Sequence, residues 1–352
     1  MLTNKRVVVT GGTGSLGKVL VRRILTGEFG TPKQITVFSR DEAKQHEMRL
    51  EYQNLKFATD EVIYRNFEHL LRFHIGDVRD RHSIGAMLRE SDVVFNAAAL
   101  KQVPTCEYFP FEAVQTNILG AENIVREIRD RDLPVETVVG ISTDKACKPV
   151  NVMGMTKAVQ ERIFIRANLD CHKTRFVCVR YGNVLASRGS VIPLFQNQIS
   201  NGGPVTITTP EMTRFLLDLD QAVDTIFAAY QHAHRGETYV PMVPSARVVD
   251  ITETLIDKRP IQTVVTGIRP GEKIHESLVS EEEAHRTIQR GNFYVIFPIL
   301  PELRSPLSSE KPIGNEFSSA HHVMTKEALE ELLKKCNYLK PHSTGIKENL
   351  KV

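Results

Sequence analysis

Short runs of valine and isoleucine alternate with longer amphipathic stretches over the first 185 residues. The strand-like runs cover residues 7–10, 35–38, 73–75, 93–96, 135–141 and 176–181, and the helical stretches cover residues 17–25, 41–54, 111–131 and 152–168. Nearly consecutive apolar residues are typical of parallel strands that are buried on both faces. The alternation therefore predicts the α/β class, with a doubly wound parallel sheet.

The pattern changes after residue 185, where prolines divide the chain into short pieces. One amphipathic helix, Leu219–His232, is expected to return to the first unit, and a charged helix is expected near residues 325–335. We predict a first domain over residues 1–185 and a smaller, loop-rich substrate domain over residues 186–352. Because ligands of doubly wound folds bind outside the carboxyl ends of the strands, the second domain would close a cleft there. Residues 54–71 are interpreted as a helix extension or a surface insertion.

Composition and charge narrow the class of protein. The chain has 352 residues, of which 41% are hydrophobic and 25% charged, and this excludes a disordered, collagen-like or disulfide-scaffold protein. A formal net charge of +3 gives no electrostatic reason to expect a nucleic-acid partner. The five cysteines are scattered without a CxxC pair, so we expect a reducing compartment and no metal site. No apolar run approaches the roughly 20 residues of a membrane span, so we expect a cytoplasmic protein without a membrane partner.

A glycine-rich turn follows the first strand. Its sequence is Gly11-Gly12-Thr13-Gly14-Ser15-Leu16-Gly17, and a helix begins directly after it. Glycines in such a turn allow the backbone to approach a pyrophosphate, and the helix N-terminus offers free N–H groups to the phosphates. Since the motif joins the first strand to the first helix, it predicts a Rossmann-type domain that binds a dinucleotide. The residues expected to bind it are Gly11, Thr13, Gly14, Ser15, Leu16 and Gly17.

The end of the second strand bears on the choice between NAD and NADP. An NAD site usually has Asp or Glu there for the ribose 2′-hydroxyl, whereas this chain has Ser39 and Arg40, which suit a 2′-phosphate. NADP is therefore favoured over NAD, and the alternative interpretation of Arg40 is a solvated loop residue. Small or polar residues after the third and fourth strands complete the predicted cofactor site: Asp77, Val78, Ala97, Ala98 and Ala99.

Several segments of the chain together resemble one family. These segments are residues 11–17, 39–42, 76–78, 97–104, 142–146, 151–157, 180–184 and 269–273. Over about residues 5–340 the chain resembles the extended short-chain dehydrogenase/reductases, and among them the UDP-N-acetylglucosamine 4,6-dehydratases of polysaccharide biosynthesis. The resemblance implies a UDP-N-acetylhexosamine substrate, an NADP cofactor and a 4-keto-6-deoxy product.

The family reaction implies a role for a cluster after the fifth strand. In that reaction hydride leaves C4, water is lost across C5 and C6, and hydride returns to C6. The resemblance places Thr143 at the C4 oxygen, Asp144 as the acid for the leaving C6 hydroxyl, and Lys145 as the C5 base. We expect desolvation to lower the pKa of Lys145 once the cleft closes. Lys157 would hold the nicotinamide ribose.

One position departs from the family's pattern. The Tyr-x-x-x-Lys pair of the superfamily is replaced by Met153-Gly154-Met155-Thr156-Lys157, and methionine has no ionisable proton. The chain is therefore either a degenerate NADP-binding sensor or scaffold, or a member of a branch that has methionine at this position. The intact cluster of Thr143, Asp144 and Lys145 favours the second interpretation.

Further residues are assigned from the same resemblance. Additional cofactor contacts are Lys101, Lys157, Tyr181 and Asn183, and the substrate contacts are Lys101, Met153, Asn183, Arg188, Val191, Arg214, Arg269 and Glu272. Among these, Arg269 is assigned to the diphosphate and Glu272 to the uridine ribose. Cys106 is a candidate for a second acid at C5, and Asn117 is expected to orient a backbone carbonyl or a water.

Two questions stay open at this point. The C5 configuration can be inverted or retained, or the enzyme can be a dehydratase and 5-epimerase, and inversion is the favoured hypothesis. The helices over residues 111–131 and 152–168 carry more apolar residues than one core-facing stripe needs, so we predict a homo-oligomer, either a dimer or a hexamer. The apolar residues in question are Val114, Ile118, Ile124, Ile128, Val159, Ile163 and Phe164.

Overall fold

The computed structural model of the chain describes residues 1–54, 61–185, 191–304 and 311–339. Its strands are β1 (Arg6–Thr10), β2 (Gln34–Ser39), β3 (Leu71–Ile75), β4 (Val93–Asn96), β5 (Thr137–Thr143), β6 (Arg175–Tyr181), β7 (Asn183–Val184), β8 (Val205–Ile207), β9 (Thr213–Leu217), β10 (Thr238–Pro241), β11 (Ser245–Arg247), β12 (Thr263–Val265), β13 (Ser277–Val279), β14 (Thr287–Arg290), β15 (Phe293–Ile296) and β16 (Phe317–Ser318). Its α-helices are α1 (Ser15–Leu25), α2 (Glu42–Asn54), α3 (Glu61–Leu70), α4 (Arg81–Leu88), α5 (Val103–Tyr108), α6 (Pro110–Ala113), α7 (Gly120–Asp130), α8 (Val152–Asp170), α9 (Val191–Ser200), α10 (Leu219–His232), α11 (Val248–Ile256), α12 (Glu281–Ala284) and α13 (Lys326–Lys335). A π-helix covers Val114–Leu119, and 3-10 turns cover Asp144–Ala146 and Pro301–Leu303.

The central sheet has nine strands in the order β14-β15-β10-β6-β5-β4-β1-β2-β3. Neighbours from β3 to β10 are parallel, and β15 and β14 add an antiparallel edge. Apolar residues of α1 and α10 cover one face of the sheet, and those of α4, α7 and α8 cover the other. The α/β class and the doubly wound parallel sheet are therefore confirmed.

The strand that leads to the predicted cluster is displaced from its predicted position. We predicted residues 135–141, but β5 is Thr137–Thr143 and pairs with β6 as far as Thr143 and Tyr181. Val135 is buried yet lies before the strand, so burial alone misled the assignment. Thr143 is thus the last residue of the strand, and Asp144 begins the turn that follows.

The helix predicted over residues 111–131 consists of three consecutive segments. α6 is followed by the π-helix Val114–Leu119 and then by α7. A π-turn holds one residue more than an α-turn, and such turns are frequent at functional sites. Residues 54–71 include α3 as a separate helix rather than an extension of α2, while residues 55–60 lie outside the described part of the chain.

Strands from beyond residue 185 complete the sheet. β10 pairs with β6, and β15 and β14 continue the edge. α10 packs on α1, where the ring of Phe227 stacks on Phe29 and Asp224 lies 2.7 Å from the guanidinium of Arg23. A further apolar cluster joins α9, α11 and α13. The division at residue 185 stays a prediction, since the sheet itself draws on both sides of that position.

The apolar residues that suggested self-association differ in burial: Val159 is exposed, Val114, Ile118 and Ile163 are half-buried, and the other three lie in the core. Ile124, Ile128 and Phe164 are buried in the core, so the expectation that they serve an interface is wrong. Exposed apolar side chains do occur on the neighbouring helical face, which we call the aromatic face, and its members are Tyr108 (83% exposed), Phe109, Phe111, Met155 and Val159. Any interface on these helices would use the aromatic face.

Across the described ranges, no helix combines the length and the apolar character that crossing a bilayer requires.

Candidate active site

The glycine-rich turn packs directly on the end of β4. Gly11 has a φ of +65°, and a Cβ at this position would lie 2.8 Å from the Cα of Ala98. A Cβ at Gly17 would lie 2.5 Å from the Cα of Gly12. The Thr10 hydroxyl donates to Asn96 Oδ1 at 2.7 Å and accepts from the Ala98 N–H at 3.3 Å. These contacts form a narrow backbone cradle at the N-terminus of α1, and this cradle fits the pyrophosphate of a dinucleotide.

A cavity of about 840 Å³ extends from this cradle along the carboxyl ends of the parallel strands. Every residue assigned to cofactor binding from the sequence lines it. The residues assigned to the substrate line it as well, except Arg188, which lies outside the described residues. The sequence assignments thus converge on one cavity, although their individual roles stay predictions.

The end of β2 lies at one mouth of the cavity. The Arg40 guanidinium is about half exposed and lies 3.7 Å from the Asp77 carboxylate. Although burial opposes ionisation, the hydrogen bond from Arg79 lowers the pKa of Asp77. The Ser39 hydroxyl accepts a hydrogen bond from Gln45 Nε2 at 3.1 Å. A hydroxyl and a half-exposed guanidinium are therefore present for a 2′-phosphate, next to a carboxylate that is negatively charged.

The end of β5 carries the predicted cluster. The Thr143 hydroxyl donates to Asp144 Oδ1 at 2.8 Å, and Lys145 Nζ donates to the same oxygen at 3.2 Å. Asp144 is 1% exposed, and its Oδ2 has no hydrogen-bond partner among the described residues. Thr143 and Lys145 line the cavity, so a hydroxyl and an amino group that both contact Asp144 lie beside the cradle.

Lys145 lies between two carboxylates rather than beside one. Its Nζ is 3.3 Å from Glu276 Oε1 and 3.4 Å from Asn183 Oδ1. Burial lowers the pKa of this lysine, but Asp144 and Glu276 outweigh burial, so the pKa of Lys145 is raised. The lowering that we expect on closure of the cleft stays a prediction, and it must overcome both carboxylates. Nothing in local spacing connects Glu276 to Lys145, although it follows the segment 269–273 closely.

Lys157 occupies a buried position one turn after Met153 on α8. Its Nζ donates to the Ile141 carbonyl at 2.5 Å and to Gln160 Oε1 at 2.7 Å. Burial lowers the pKa of Lys157 to about 8. Because both Lys157 and Met153 line the cavity, the lysine of the Tyr-x-x-x-Lys pattern is in place and the phenolic hydroxyl is absent at residue 153.

Cys106 does not fit the role proposed for it. Its side chain is completely buried against Met153 and Ala113, and its Sγ lies 3.7 Å from the Leu100 carbonyl. Burial raises the pKa of this thiol to about 11. Within the described residues Cys106 is absent from the cavity lining, so we withdraw it as a second acid.

Asn117 fixes the backbone beside the cavity. It lies in the π-helix, and its side chain accepts from the Leu100 N–H at 2.8 Å and donates to the Leu100 carbonyl at 3.0 Å. Its Nδ2 also donates to the Thr156 hydroxyl at 3.0 Å. The expected role in orienting a backbone carbonyl is confirmed, and the oriented peptide precedes Lys101.

The opposite wall of the cavity comes from the later part of the chain. The Arg214 guanidinium donates to the carbonyls of Thr213, Ile274 and Lys273 at 2.7 to 3.0 Å. This arginine therefore braces the backbone in addition to facing the cavity. Glu272 Oε2 accepts from the Thr208 hydroxyl at 3.3 Å, whereas Arg269 is exposed on the preceding loop.

Two contacts connect this wall to the sheet. Asn151, the N-cap of α8, donates to the Gly271 carbonyl at 2.8 Å. Arg180, at the end of β6, lies between Glu161 and Glu283 with a separation of 2.7 Å to each. Sequence reasoning missed the Arg180 ion pairs, since a lone arginine in a strand gives no signal for partners far along the chain.

Comparisons with known proteins agree with this architecture. Residues 7–298 match the model of the family described as polysaccharide biosynthesis protein. The chain is 40% identical over 347 residues to an uncharacterized membrane protein of Methanocaldococcus jannaschii, and the aligned region covers 96% of this chain and 97% of that protein. It is 43% identical over 303 residues to a UDP-glucose 4-epimerase of Rickettsia bellii, with 84% of each chain covered.

A solved structure extends the similarity to three dimensions. The X-ray structure of Pen from Bacillus thuringiensis superposes with a TM-score of 0.85 at 32% identity, over 96% of this chain and 100% of that chain. The family match spans most of the chain, and its residues include the cradle and the cluster at the end of β5. The chain therefore belongs to the polysaccharide biosynthesis protein family.

Proposed function

We propose that this protein is an NADP-dependent UDP-N-acetylglucosamine 4,6-dehydratase, that is, a lyase that makes a 4-keto-6-deoxy sugar nucleotide. The observation that carries the proposal is the position of the Asp144–Lys145 pair at the carboxyl end of β5, where Lys145 lines the same cavity as the glycine cradle and the buried Asp144 has its Oδ1 3.2 Å from Lys145 Nζ. Oxidation at C4 alone needs one base, whereas elimination of water needs a second base at C5 and an acid at C6. The cluster supplies groups for these additional steps.

The residues of the cradle would hold the cofactor, with Arg40 and Ser39 at its 2′-phosphate. Bound NADP would supply the hydride acceptor for C4 and the hydride donor for C6. Lys157 has a pKa of about 8, which is close to neutral pH. Its amine can therefore take the C4 hydroxyl proton directly or through a water. This lysine thereby offers a route for a proton that the missing tyrosine hydroxyl would otherwise accept.

Elimination is assigned to the cluster at the end of β5. The Thr143 hydroxyl would donate a hydrogen bond to the C4 oxygen, and Lys145 would remove the C5 proton. Asp144 would protonate the departing C6 hydroxyl, and its unpartnered Oδ2 is the oxygen on which that proton would lie. The buried position of the carboxyl group keeps competing water away from this proton.

The UDP part of the substrate is assigned to the opposite wall. Arg269 would bind the diphosphate and Glu272 the uridine ribose, since a forked guanidinium suits phosphate and a carboxylate suits a pair of hydroxyls. The similarity to the Rickettsia UDP-glucose 4-epimerase supports a UDP-sugar as the substrate class. Arg188 and Val191 remain proposed contacts of the UDP part of the substrate.

A second candidate function is a UDP-sugar 4-epimerase, and the 43% identity to the Rickettsia protein of that name favours it. Epimerisation and dehydration both begin with removal of hydride from C4, so the cradle and Lys157 would have the same roles in either reaction. The two reactions differ at C5, where only dehydration requires proton removal. The alternative without catalysis is a sensor or scaffold that binds NADP and does not turn over a substrate.

One experiment separates these candidates. The full-length protein is incubated with NADP and UDP-N-acetylglucosamine in D₂O, with UDP-glucose in a parallel reaction, and the products are analysed by mass spectrometry and NMR. Dehydration predicts a product lighter by one water with deuterium at C5, and the coupling constants then report the C5 configuration. A C4 epimer of unchanged mass would support the epimerase, and bound nucleotide without product would support the sensor or scaffold.

A further inference from the structure

Four charged side chains form an alternating row, and two of them, Lys145 and Glu276, line the cavity. Lys145 Nζ lies 3.2 Å from Asp144 Oδ1 and 3.3 Å from Glu276 Oε1. Lys273 Nζ lies 3.6 Å from the other carboxylate oxygen of Glu276. The row therefore runs Asp144, Lys145, Glu276, Lys273, and each lysine has a carboxylate for a neighbour.

Glu276 is held rigidly in this row. It is 2% exposed, its N–H donates to the Ser319 hydroxyl at 2.9 Å, and its carbonyl accepts from the Ser319 N–H at 2.8 Å. Its Oε2 has no hydrogen-bond partner among the described residues, although the side chain lines the cavity. Its Oε1, 3.3 Å from Lys145 Nζ, is the oxygen that is placed to accept a proton from the lysine.

We propose that Glu276 is a positioning residue that takes the proton Lys145 must lose before its amine can act at C5. This inference rests on the proposed dehydratase function and goes beyond it, because it assigns a role to a residue outside the β5 cluster. When Asp144 carries the proton for the C6 hydroxyl, the carboxylate that faces the Lys145 ammonium is Glu276, 3.3 Å from Nζ. An ammonium group cannot accept a further proton, so Lys145 must first lose one.

The transfer is balanced within the pair. An N–H bond of Lys145 breaks, its electron pair stays on nitrogen, and an O–H bond forms on Glu276. The ammonium and carboxylate thereby become an amine and a carboxylic acid, a change that desolvation by bound substrate favours, since burial penalises the charged forms. The amine then takes the C5 proton while the C6–O bond breaks, and the leaving hydroxyl departs as water with the proton of Asp144.

The test compares Glu276→Gln with wild type across pH. In wild type the proton stays inside the site, so exchange of deuterium into C5 should change little between about pH 6 and pH 9. In Glu276→Gln the proton of Lys145 has no acceptor inside the site and must leave to solvent, so exchange at neutral pH should fall roughly 10²-fold. Exchange should recover about tenfold per pH unit until the pKa of Lys145 is passed, and that pKa should lie below its wild-type value because Glu276 no longer raises it. Besides Glu276, the charged groups that act on Lys145 are Asp144 and Arg214, and Lys273 faces Glu276 from its other side. These groups determine the pH at which the rate changes.

Three further measurements separate this role from a structural one. Formation of NADPH at 340 nm reports the C4 step, which Glu276→Gln should retain. Glu281→Gln, on an exposed side chain five residues later, is the matched control and should behave as wild type. Glu276→Asp keeps a carboxylate that can accept the proton, so its exchange rate at C5 should be as independent of pH as that of wild type, even if the rate is lower. If Glu276→Gln does not fold, this variant provides the test.

The outcomes are distinct for the two proposals. A wild-type protein that forms neither NADPH nor a dehydrated product overturns the proposed function, and the role of Glu276 with it. Wild type that dehydrates, together with a Glu276→Gln variant that exchanges C5 at the wild-type rate or is slowed equally at every pH, overturns only the role of Glu276.

Discussion

Replacing Arg180 by methionine should destabilise the protein more than any exposed arginine substitution. The Arg180 side chain is 3% exposed and lies 2.7 Å from Glu161 and from Glu283. It also donates to the Leu278 carbonyl at 2.9 Å. Methionine fills similar volume but leaves two carboxylates buried without their counter-ion, and removing one partner of a buried ion pair costs about 3 to 5 kcal/mol.

The pKa of Glu283 gives an independent magnitude. Burial opposes ionisation of this carboxyl, but the Arg180 guanidinium, together with the Ser280 N–H and Arg286, holds its pKa at about 2, against an ordinary value of 4.5. At 1.36 kcal/mol for each pKa unit, this difference corresponds to about 3 kcal/mol, and Arg180 supplies the largest share of the lowering. Both magnitudes are of the same order, so we expect Arg180→Met to lose about 3 to 5 kcal/mol of unfolding free energy at pH 7.

The loss should depend on pH with a defined sign. The pKa of Glu283 is lower in the folded state than in the unfolded state, so its contribution in wild type is complete above pH 4.5 and is lost as pH falls towards 2. In Arg180→Met the buried carboxylates lack their counter-ion, and protonation relieves them. The difference in stability between wild type and variant should therefore shrink as pH falls from about 5 to about 3.

Urea unfolding followed by circular dichroism measures this difference. The matched control is Arg166→Met on α8, whose exposed pair with Asp170 should be worth less than about 1 kcal/mol. A loss below about 1 kcal/mol for Arg180→Met at pH 7 would contradict the reasoning, and so would a difference that stays constant on acidification.

Four further changes test the proposed site and surface. Lys145→Ala should lower dehydration by about 10²- to 10⁴-fold while NADP affinity measured by calorimetry stays nearly unchanged, and turnover at the wild-type rate would refute its role. Arg40→Asp should shift the preference from NADP to NAD, and equal affinity of wild type for both would count against a 2′-phosphate site. Met153→Tyr should give no large gain in turnover, since Lys157 already lies in the site, and activity gained from an inert wild type would favour the sensor or scaffold. A double change of Tyr108 and Phe111 to serine should shift the sedimenting species towards 39.7 kDa, and wild type that already sediments only at this mass would refute self-association.

The cradle could be predicted from the sequence because its determinants are local. The turn, the strand before it and the helix after it occupy consecutive residues, and Gly11 and Gly17 are required by contacts within that unit and with β4. The parallel strands were predictable for a similar reason, since their apolar runs are short and uninterrupted. The error in β5 arose because backbone pairing with β6, rather than burial, decides where a strand ends.

The π-helix could not be predicted from periodicity. Residues 111–131 carry an apolar pattern that suits a continuous α-helix, and an additional residue in one turn leaves that pattern almost unchanged. The structure places Asn117 within the π-turn, where its amide satisfies both backbone groups of Leu100. The sequence indicated the role of Asn117 but not the local geometry that allows it.

The electrostatics of the site depend on pairs that no spacing rule connects. Lys145 with Glu276 and Arg180 with Glu283 each join residues more than a hundred positions apart. A charged residue viewed alone is expected at the surface, because burying it is unfavourable until its partner is known. The sequence therefore favoured a lysine with a lowered pKa, whereas Asp144 and Glu276 together raise the pKa of Lys145, and this changes what the mechanism must explain. A base that begins as a cation needs an internal proton acceptor, and this need, rather than the missing tyrosine, is the feature by which the proposed elimination can be tested.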